Sequence, residues 1–404
     1  MVKRKAAIIG TVGIPANYGG FETLTEHLVD NLAKQWDITV YCSGKKYAKK
    51  SRLRTYKGAR LVYLPLDANG IQSIFYDCIS IIHALFYADV LLILGVSGGI
   101  LLPFVKLFTK KKIVISIDGI EWKRQKWNKY ARLYLWMAEW LAVRFSDADI
   151  SDNEAIQDYT AMRYKSHSNI IEYGADHTIK VAPSEEDCAK YSFLSGKYAF
   201  NVCRIEPENN LDLVLEAFSK MPARQLVVVG NWNNSDYGKN LREKYASCTH
   251  ILLLDPIYNQ RELDVLRGNC QLYIHGHSAG GTNPSLVEAM YLGLPVFAFG
   301  VSYNKATTEG KAVYFRNARE LTLLVEESGE EQLKSLGQTM KEIAERRYTW
   351  KNIATKYEWL LNRVLENKKG KALLSQVSVK LTRKHLLDLE VGHLSTSDYF
   401  YDKR

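Results

Sequence analysis

The stretch "HGHSAGGTNPSLVEAM", residues 275–290, joins the end of an apolar run to a loop of small residues and then to a helical pattern. Asn283 suits an N-cap and Pro284 the first helical position, where a missing N–H is no loss, so a helix is expected to begin here. The free N–H groups around Ser285 then make an anion-attracting tip. Gly280 and Gly281, followed by Thr282, let backbone approach a ligand closely, and a diphosphate is the natural guest. Glu288 lies about one turn inside the helix. A carboxylate there is repelled by a diphosphate unless it faces hydroxyls, which a ribose supplies; an exposed helical glutamate is the alternative.

A second patch, "NVCRIEPENNLDLVLEAF" (201–218), puts Arg204 directly after an apolar run. The guanidinium is expected to project from a strand's carboxyl end and to clamp phosphate oxygens in bidentate fashion. Surface pairing with Glu206 or Glu208 is the alternative. Arg204 and the helix tip together would be preorganised donors for charge gathering on a departing diphosphate. Candidates for taking a proton from an attacking hydroxyl stand at strand ends: Asp118 in "KIVISID", Asp152 in "SDADISD" and Tyr173 in "SNIIEY". Loop hydrogen bonds or helix caps are the competing roles for all three. Asp147 with Asp149, and His275 with His277, have pairwise metal-ligand spacing, but neither extends to a ligand set, so no metal or other cofactor is expected.

The elements that must position these residues follow from the hydrophobic pattern. "KAAIIG", "DITVY", "RLVYLP", "DVLLILG", "KIVISID" and "SNIIEYG" (168–174) read as parallel strands with both faces covered. Between the first two, Phe21, Leu24, Leu28 and Leu32 share one helical face. The pattern restarts after a polar, disordered-looking connector at 178–196. "YAFNVC", "QLVVVG", "ILLLD", "QLYIH" and "LPVFAF" form the second set, with Leu211, Val214, Leu215 and Phe218 striping a helix between them. Two alternating series predict an α/β protein of two doubly wound, Rossmann-like domains, residues 1–178 and 196–349, enclosing a cleft at the strands' carboxyl ends. A tryptophan-rich helix at 350–366 is expected to pack back on the first domain, and 367–404 forms a tail with no assignable chemistry.

The chain has 404 residues, 47% apolar and 24% charged, with net charge +10. This is globular composition, too long for one core. The six cysteines lie scattered without a CxxC pair, and the start does not read as a cleavable signal peptide, which fits a reducing cytoplasm. Two basic runs, Lys45–Arg60 and Lys110–Arg132, are either solvated faces or attract an anionic partner. A membrane surface comes before nucleic acid, since no nucleic-acid motif accompanies the charge. His83, Asp89, residues 97–99 and Pro103 cut the apolar segment 78–108 into pieces too short to span a bilayer. It reads as helix, buried strand, helix.

The order strand–Arg204–turn–helix, then strand–glycine loop–helix with Glu288, resembles the nucleotide-sugar domain of GT-B glycosyltransferases of retaining family 4. "GTVGIPANYGGFET", "SIDGIEWKR" and "ISDNEAI" add a resemblance to bacterial β-1,4-rhamnosyltransferases of capsule and cell-wall polysaccharide synthesis, over roughly residues 5–365. The resemblance implies a dTDP-β-L-rhamnose donor and, as acceptor, a polyprenyl-pyrophosphate-linked glucose or N-acetylglucosamine, used at its 4-hydroxyl. It also implies a peripheral position on the inner face of the plasma membrane. The Gly-containing loop after the first strand, which is not a GxGxxG fingerprint, makes Gly19 and Gly20 candidate acceptor-binding residues, with Glu121. Two positions depart from the wider family. Its paired glutamates, separated by seven residues, leave Gly280 where the first would stand, and its usual lysine is Asn209. A 6-deoxy sugar has fewer hydroxyls to satisfy, which is compatible with the glycine. Alternatives are a GT-B transferase with another donor, a nucleotide-sugar 2-epimerase, and a catalytically weak scaffold that binds sugar lipid.

Overall fold

Continuous apolar runs become buried parallel strands in the computed structural model, which describes residues 3–16, 19–117, 119–124 and 127–367. Asp118 and the tail from 368 lie outside the described residues. Two units form: one holds the described residues up to Glu172 and those from Trp350 onward, the other is Tyr173–Thr349. The division therefore falls earlier than 178, and the connector belongs wholly to the second unit.

In the first unit, strands β1 (Arg4–Ile9), β2 (Trp36–Ser43), β3 (Thr55–Tyr56), β4 (Ala59–Leu64), β5 (Val90–Leu94), β6 (Lys112–Ile117), β7 (Ala148–Ser151) and β8 (Asn169–Ile170) make one sheet. Its order is β3-β4-β2-β1-β5-β6-β7-β8, parallel except for β3, a two-residue hairpin partner of β4. All of β5 is buried, as its unbroken "VLLIL" requires. Helices α1 (Gly20–Leu32), α2 (Gln72–Ala84), α3 (Leu102–Phe108), α4 (Lys129–Phe145) and α5 (Glu154–Tyr164) cover it, and the last helix, α14 (Trp350–Glu366), returns to this unit. On α14 the buried residues Trp350, Ile353, Ala354, Tyr357, Leu360, Leu361 and Val364 keep a helical stripe. Trp350 stacks on His27 of α1 with ring centroids 4.2 Å apart.

The expected strand at 168–174 shrinks to Asn169–Ile170, because β7 offers pairing for those residues only. Tyr173 consequently ends no strand; it is buried in irregular backbone at the start of the second unit.

The second unit opens with α6 (Glu185–Lys190) and a 3-10 turn at Ser192–Ser195, so the connector is ordered rather than disordered. A capping box between Ser184 and Asp187 starts the helix, and Asp187 pairs with Arg261 at 2.9 Å. Its sheet, β11-β10-β9-β12-β13-β14, is wholly parallel: β9 (Tyr198–Val202), β10 (Gln225–Val229), β11 (Ile251–Leu254), β12 (Leu272–His275), β13 (Val296–Phe299) and β14 (Val313–Phe315). Helices α7 (Leu211–Ser219), α8 (Asp236–Lys244), α9 (Gln260–Gly268), α10 (Pro284–Tyr291), α11 (Ser302–Thr307), α12 (Ala318–Glu327) and α13 (Glu330–Arg347) surround it. The α7 stripe Leu211, Val214, Leu215 and Phe218 is fully buried against this core.

Candidate functional site

Strand order locates the site of the second unit. From β9 the chain crosses to β10 on one side, whereas from β12 it crosses to β13 on the other. Such a reversal leaves a crevice beyond the carboxyl ends of β9 and β12, the place where doubly wound sheets hold ligands. Arg204 lies just after β9, and the 276–283 loop with the tip of α10 just after β12. The two strands are neighbours, with Phe200 paired to Tyr273.

The loops at this switch point are bonded to each other. Ser278 donates its N–H and its hydroxyl to the Glu208 carbonyl at 2.8 and 2.9 Å. Asn210 donates to the Gly276 carbonyl at 2.8 Å, and Asn209 to the Arg204 carbonyl at 2.7 Å. Gly276 has no room for a side chain, since a Cβ there would sit 2.3 Å from the Asn209 carbonyl oxygen. Asn209 thus fixes the backbone that carries Arg204. The Arg204 side chain is exposed and makes no ion pair among the described residues, neither with Glu206 nor with Glu208.

The glycine loop adopts the conformation that its glycines permit. Gly280 has φ +122°, a region closed to most side chains, and Gly281 and Thr282 are buried. Asn283 occupies the N-cap position in extended backbone but makes no side-chain cap, which corrects the expected capping role. The N–H groups of Leu286 and Val287 bond the Asn283 carbonyl, while that of Ser285 has no acceptor among the described residues. The tip of α10 therefore keeps an unpaired donor beside the loop that holds Arg204.

Glu288 is built into a buried network that sequence reasoning missed. One carboxylate oxygen takes a hydrogen bond from Arg267, whose side chain is entirely buried, and the other lies 3.3 Å from His177 Nε2. Arg267 also bonds Asp264 at 3.1 Å, and Asp264 accepts from the Ile179 N–H. Burial opposes charge on Glu288, but Arg267 and His177 outweigh it and bring its pKa down to about 2. The i, i+3 spacing of Asp264 and Arg267 on α9 was the one available signal. Beneath the loop, His275 is buried with neither ring nitrogen bonded, and burial lowers its pKa to about 3. Its ring stacks on His277 at 4.3 Å, a face-to-face arrangement rather than two ligands converging on one point.

In the first unit the corresponding reversal lies between β1 and β5. The loop after β1 is held by two glutamates of α1. Glu22 accepts from Thr11 Oγ1 and the Val12 N–H at 3.1 and 2.7 Å, and Glu26 from the Ala16 N–H at 2.7 Å. Burial raises the Glu22 pKa. Gly19, at φ +113°, caps α1, and a Cβ there would meet Glu22 Oε2 at 2.1 Å; Gly20 opens the helix. Glu121 pairs with Arg124 at 2.9 Å and accepts from the Trp127 indole at 3.0 Å. Asp152 follows β7 immediately before Asn153, whose side chain caps α5. Among the described residues no three His, Cys, Asp or Glu gather as a metal site. Asp147 is engaged by Lys106 and Lys112, and Asp149 by Ser166.

Residues 3–176 match a family model described as a domain of unknown function, DUF1972, and residues 184–342 match Glycosyl transferases group 1. No curated protein matches the sequence significantly. Among solved structures, sucrose-phosphate synthase from Thermosynechococcus elongatus aligns at TM-score 0.75 with 15% identity, over 90% of this chain and 99% of that one. Anabaena HepE in complex with UDP-glucose aligns at 0.69 with 14% identity, over 89% and 99%. The α,α-trehalose 6-phosphate synthase of Burkholderia multivorans aligns at 0.68 with 12% identity, over 90% and 97%. The fold is thus that of the GT-B proteins, and residues 184–342 within it match the glycosyl transferases group 1 family.

Proposed function

We propose that the enzyme is a retaining transferase of family 4 that moves L-rhamnose from dTDP-β-L-rhamnose to the 4-hydroxyl of a polyprenyl-pyrophosphate-linked glucose or N-acetylglucosamine. Its setting is capsule or cell-wall polysaccharide synthesis at the inner face of the plasma membrane. The donor half rests on one observation: the loop that carries Arg204 is tied to the loop that leads into α10, whose tip keeps the unpaired Ser285 N–H. The motifs of the first unit, and Gly280 where the wider family has an acid, support a 6-deoxy sugar and this acceptor class.

On this reading Arg204 and the α10 tip hold the diphosphate, with Gly280, Gly281, Thr282 and Asn283 as its backbone cradle. Each carboxylate oxygen has more than one acceptor site, so Glu288 can receive a ribose hydroxyl while Arg267 and His177 hold it in place. The acceptor oxygen bonds to the sugar's anomeric carbon as the bond to phosphate breaks. The departing electron pair goes to the diphosphate, where Arg204 and the N–H donors stabilise it. The hydroxyl proton passes to the leaving phosphate or to a side chain of the protein, for which Asp118, Asp152 and Tyr173 are the candidates. Gly19, Gly20 and Glu121 serve the acceptor.

A second reading, a UDP-hexose donor, is favoured by the UDP-glucose complex of HepE. Protection against thermal unfolding by dTDP-rhamnose, UDP-glucose and GDP-mannose separates the two, since ligand binding to the folded state raises Tm. Stabilisation by dTDP-rhamnose alone, followed by its turnover with a polyprenyl-pyrophosphate sugar, is expected. Protection by UDP-glucose alone would replace the rhamnosyl reading. Tight binding of a donor without turnover would point to a scaffold.

A further inference from the structure

Helices α2, α3 and α4 lie on one face of the first sheet. The crossovers β4–α2–β5, β5–α3–β6 and β6–α4–β7 all run toward the same edge, and right-handed connections then share one side. The segment entering α3 is clamped by its neighbours. A Cβ on Gly98 would sit 2.8 Å from Asp77 Cβ of α2, and one on Gly99 2.3 Å from the Ala138 carbonyl oxygen of α4. Ser73 bonds Ser97 at 3.1 Å, and Tyr134 donates to the Ser97 carbonyl. The three helices thus form one continuous surface.

Its outward side is apolar where a sheet-covering helix ordinarily carries charge. Along α2 and its flanks, Ile71, Phe75, Ile79, Ile82 and Phe86 repeat at helical spacing, and Phe86 is 83% exposed. On α3, Leu107 and Phe108 are 75% and 76% exposed. On α4, Tyr130, Leu133, Met137 and Trp140 form a further exposed stripe. Patches of this continuity mark interaction surfaces. The acidic residues of the three helices, Asp77 and Glu139, are both buried. Lys129 and Arg144 bracket the α4 stripe and Lys110 follows α3; all three are exposed and without an ion-pair partner among the described residues.

We propose that this face docks on an anionic phospholipid bilayer, its aromatic and aliphatic side chains at the headgroup–acyl boundary and Lys110, Lys129 and Arg144 among the headgroups. Interfacial preference of Tyr130 and Trp140 fits that depth. A second copy of the chain fits less well: a two-fold contact would set the same basic rim against itself, and this face exposes no acid on its helices to answer it. The inference deepens the proposed function and rests on its lipid-linked acceptor for its purpose.

The test is co-sedimentation of the full chain with vesicles of phosphatidylglycerol and phosphatidylcholine, against phosphatidylcholine alone, at low and high salt. Wild type is expected to bind the mixed vesicles and to weaken with salt. The combined variant Phe75→Ser, Ile82→Ser, Phe86→Ser should lose binding by on the order of tenfold or more, and Lys110→Glu, Lys129→Glu, Arg144→Glu should lose the preference for phosphatidylglycerol. Both variants replace exposed side chains, and unchanged Tm and donor protection confirm their folding. Failure of wild type to bind, or full binding by the serine variant, overturns the proposal. So does a dimer in sedimentation velocity that the serine substitutions dissolve without any vesicle binding. If wild type binds vesicles but transfers no sugar to the lipid-linked acceptor, docking stands and the transferase reading fails. Transfer to a soluble acceptor analogue without vesicle binding is the reverse.

Discussion

Arg267 of α9 and Glu288 of α10 form an ion pair whose guanidinium is wholly buried, with Asp264 and His177 completing its partners. Breaking such a pair from the cationic side leaves charge buried without compensation, which destabilises by about 3–5 kcal/mol. Arg267→Met is therefore expected to lower stability by that amount in urea unfolding. Glu288→Gln, which leaves Arg267 paired to Asp264, should lose less. Equal small losses, under about 1 kcal/mol, would show that the network is not holding the helix.

Arg204 is exposed and takes part in no ion pair among the described residues, so its removal should change stability by no more than about 0.5 kcal/mol. Loss of a transition-state donor lowers turnover by about 10²–10³-fold. Arg204→Ala should show this separation between intact Tm and lost sugar transfer. Arg204→Lys should recover only part, since an ammonium cannot grip phosphate in bidentate fashion. Full transfer by the alanine variant would remove Arg204 from the donor site.

Gly276→Ala probes the tie between the two loops from a distance. A Cβ placed 2.3 Å from the Asn209 carbonyl must push the Arg204 loop away from the α10 loop. Overpacking of this kind destabilises by about 1–3 kcal/mol. The informative readout is donor affinity, which should fall more than in a Gly329→Ala control, where nothing crowds the site of the Cβ. Unchanged donor binding would mean that the loops act independently.

His275 carries a pH dependence of defined sign. Its folded pKa is about 3 against 6.5 for the free side chain, so the unfolded chain binds the extra proton as pH falls below 6.5. The folded state loses stability through that window, by roughly 2 kcal/mol between pH 7 and pH 5. His275→Leu should lose less over the same interval, and the difference between the two urea-unfolding profiles isolates this histidine. Parallel profiles would show that His275 finds a partner for its proton.

Much of the architecture was legible because buried parallel strands announce themselves as unbroken apolar runs. Ten of the eleven runs read as strands form strands of at least four residues; the exception, 168–174, keeps only Asn169–Ile170. The residues missed were those whose elements are short or whose partners are distant. β14, "VYF", is too short to show a period. The connector at 178–196 looked disordered from its polarity, yet Asp187 and Lys190 meet Arg261 and Glu262 of α9. Asn283 had the composition of a cap and the position of one, but its side chain does not turn back to the helix.

The sequence by itself determined two βα series, the helix tip at Pro284 and the arginine after β9, because strand hydrophobicity, helix-start chemistry and chain order are local properties. Only the tertiary structure decided that β9 and β12 are neighbours at a reversal of strand order, that Asn210 and Ser278 bind their loops into one site, and that Arg267 and His177 claim Glu288. It also decided which side of α2, α3 and α4 faces outward. The physical reason is the same in each case: hydrogen bonds, ion pairs and exposure depend on which distant segments the sheet brings together, and a residue's type does not carry the address of its partner.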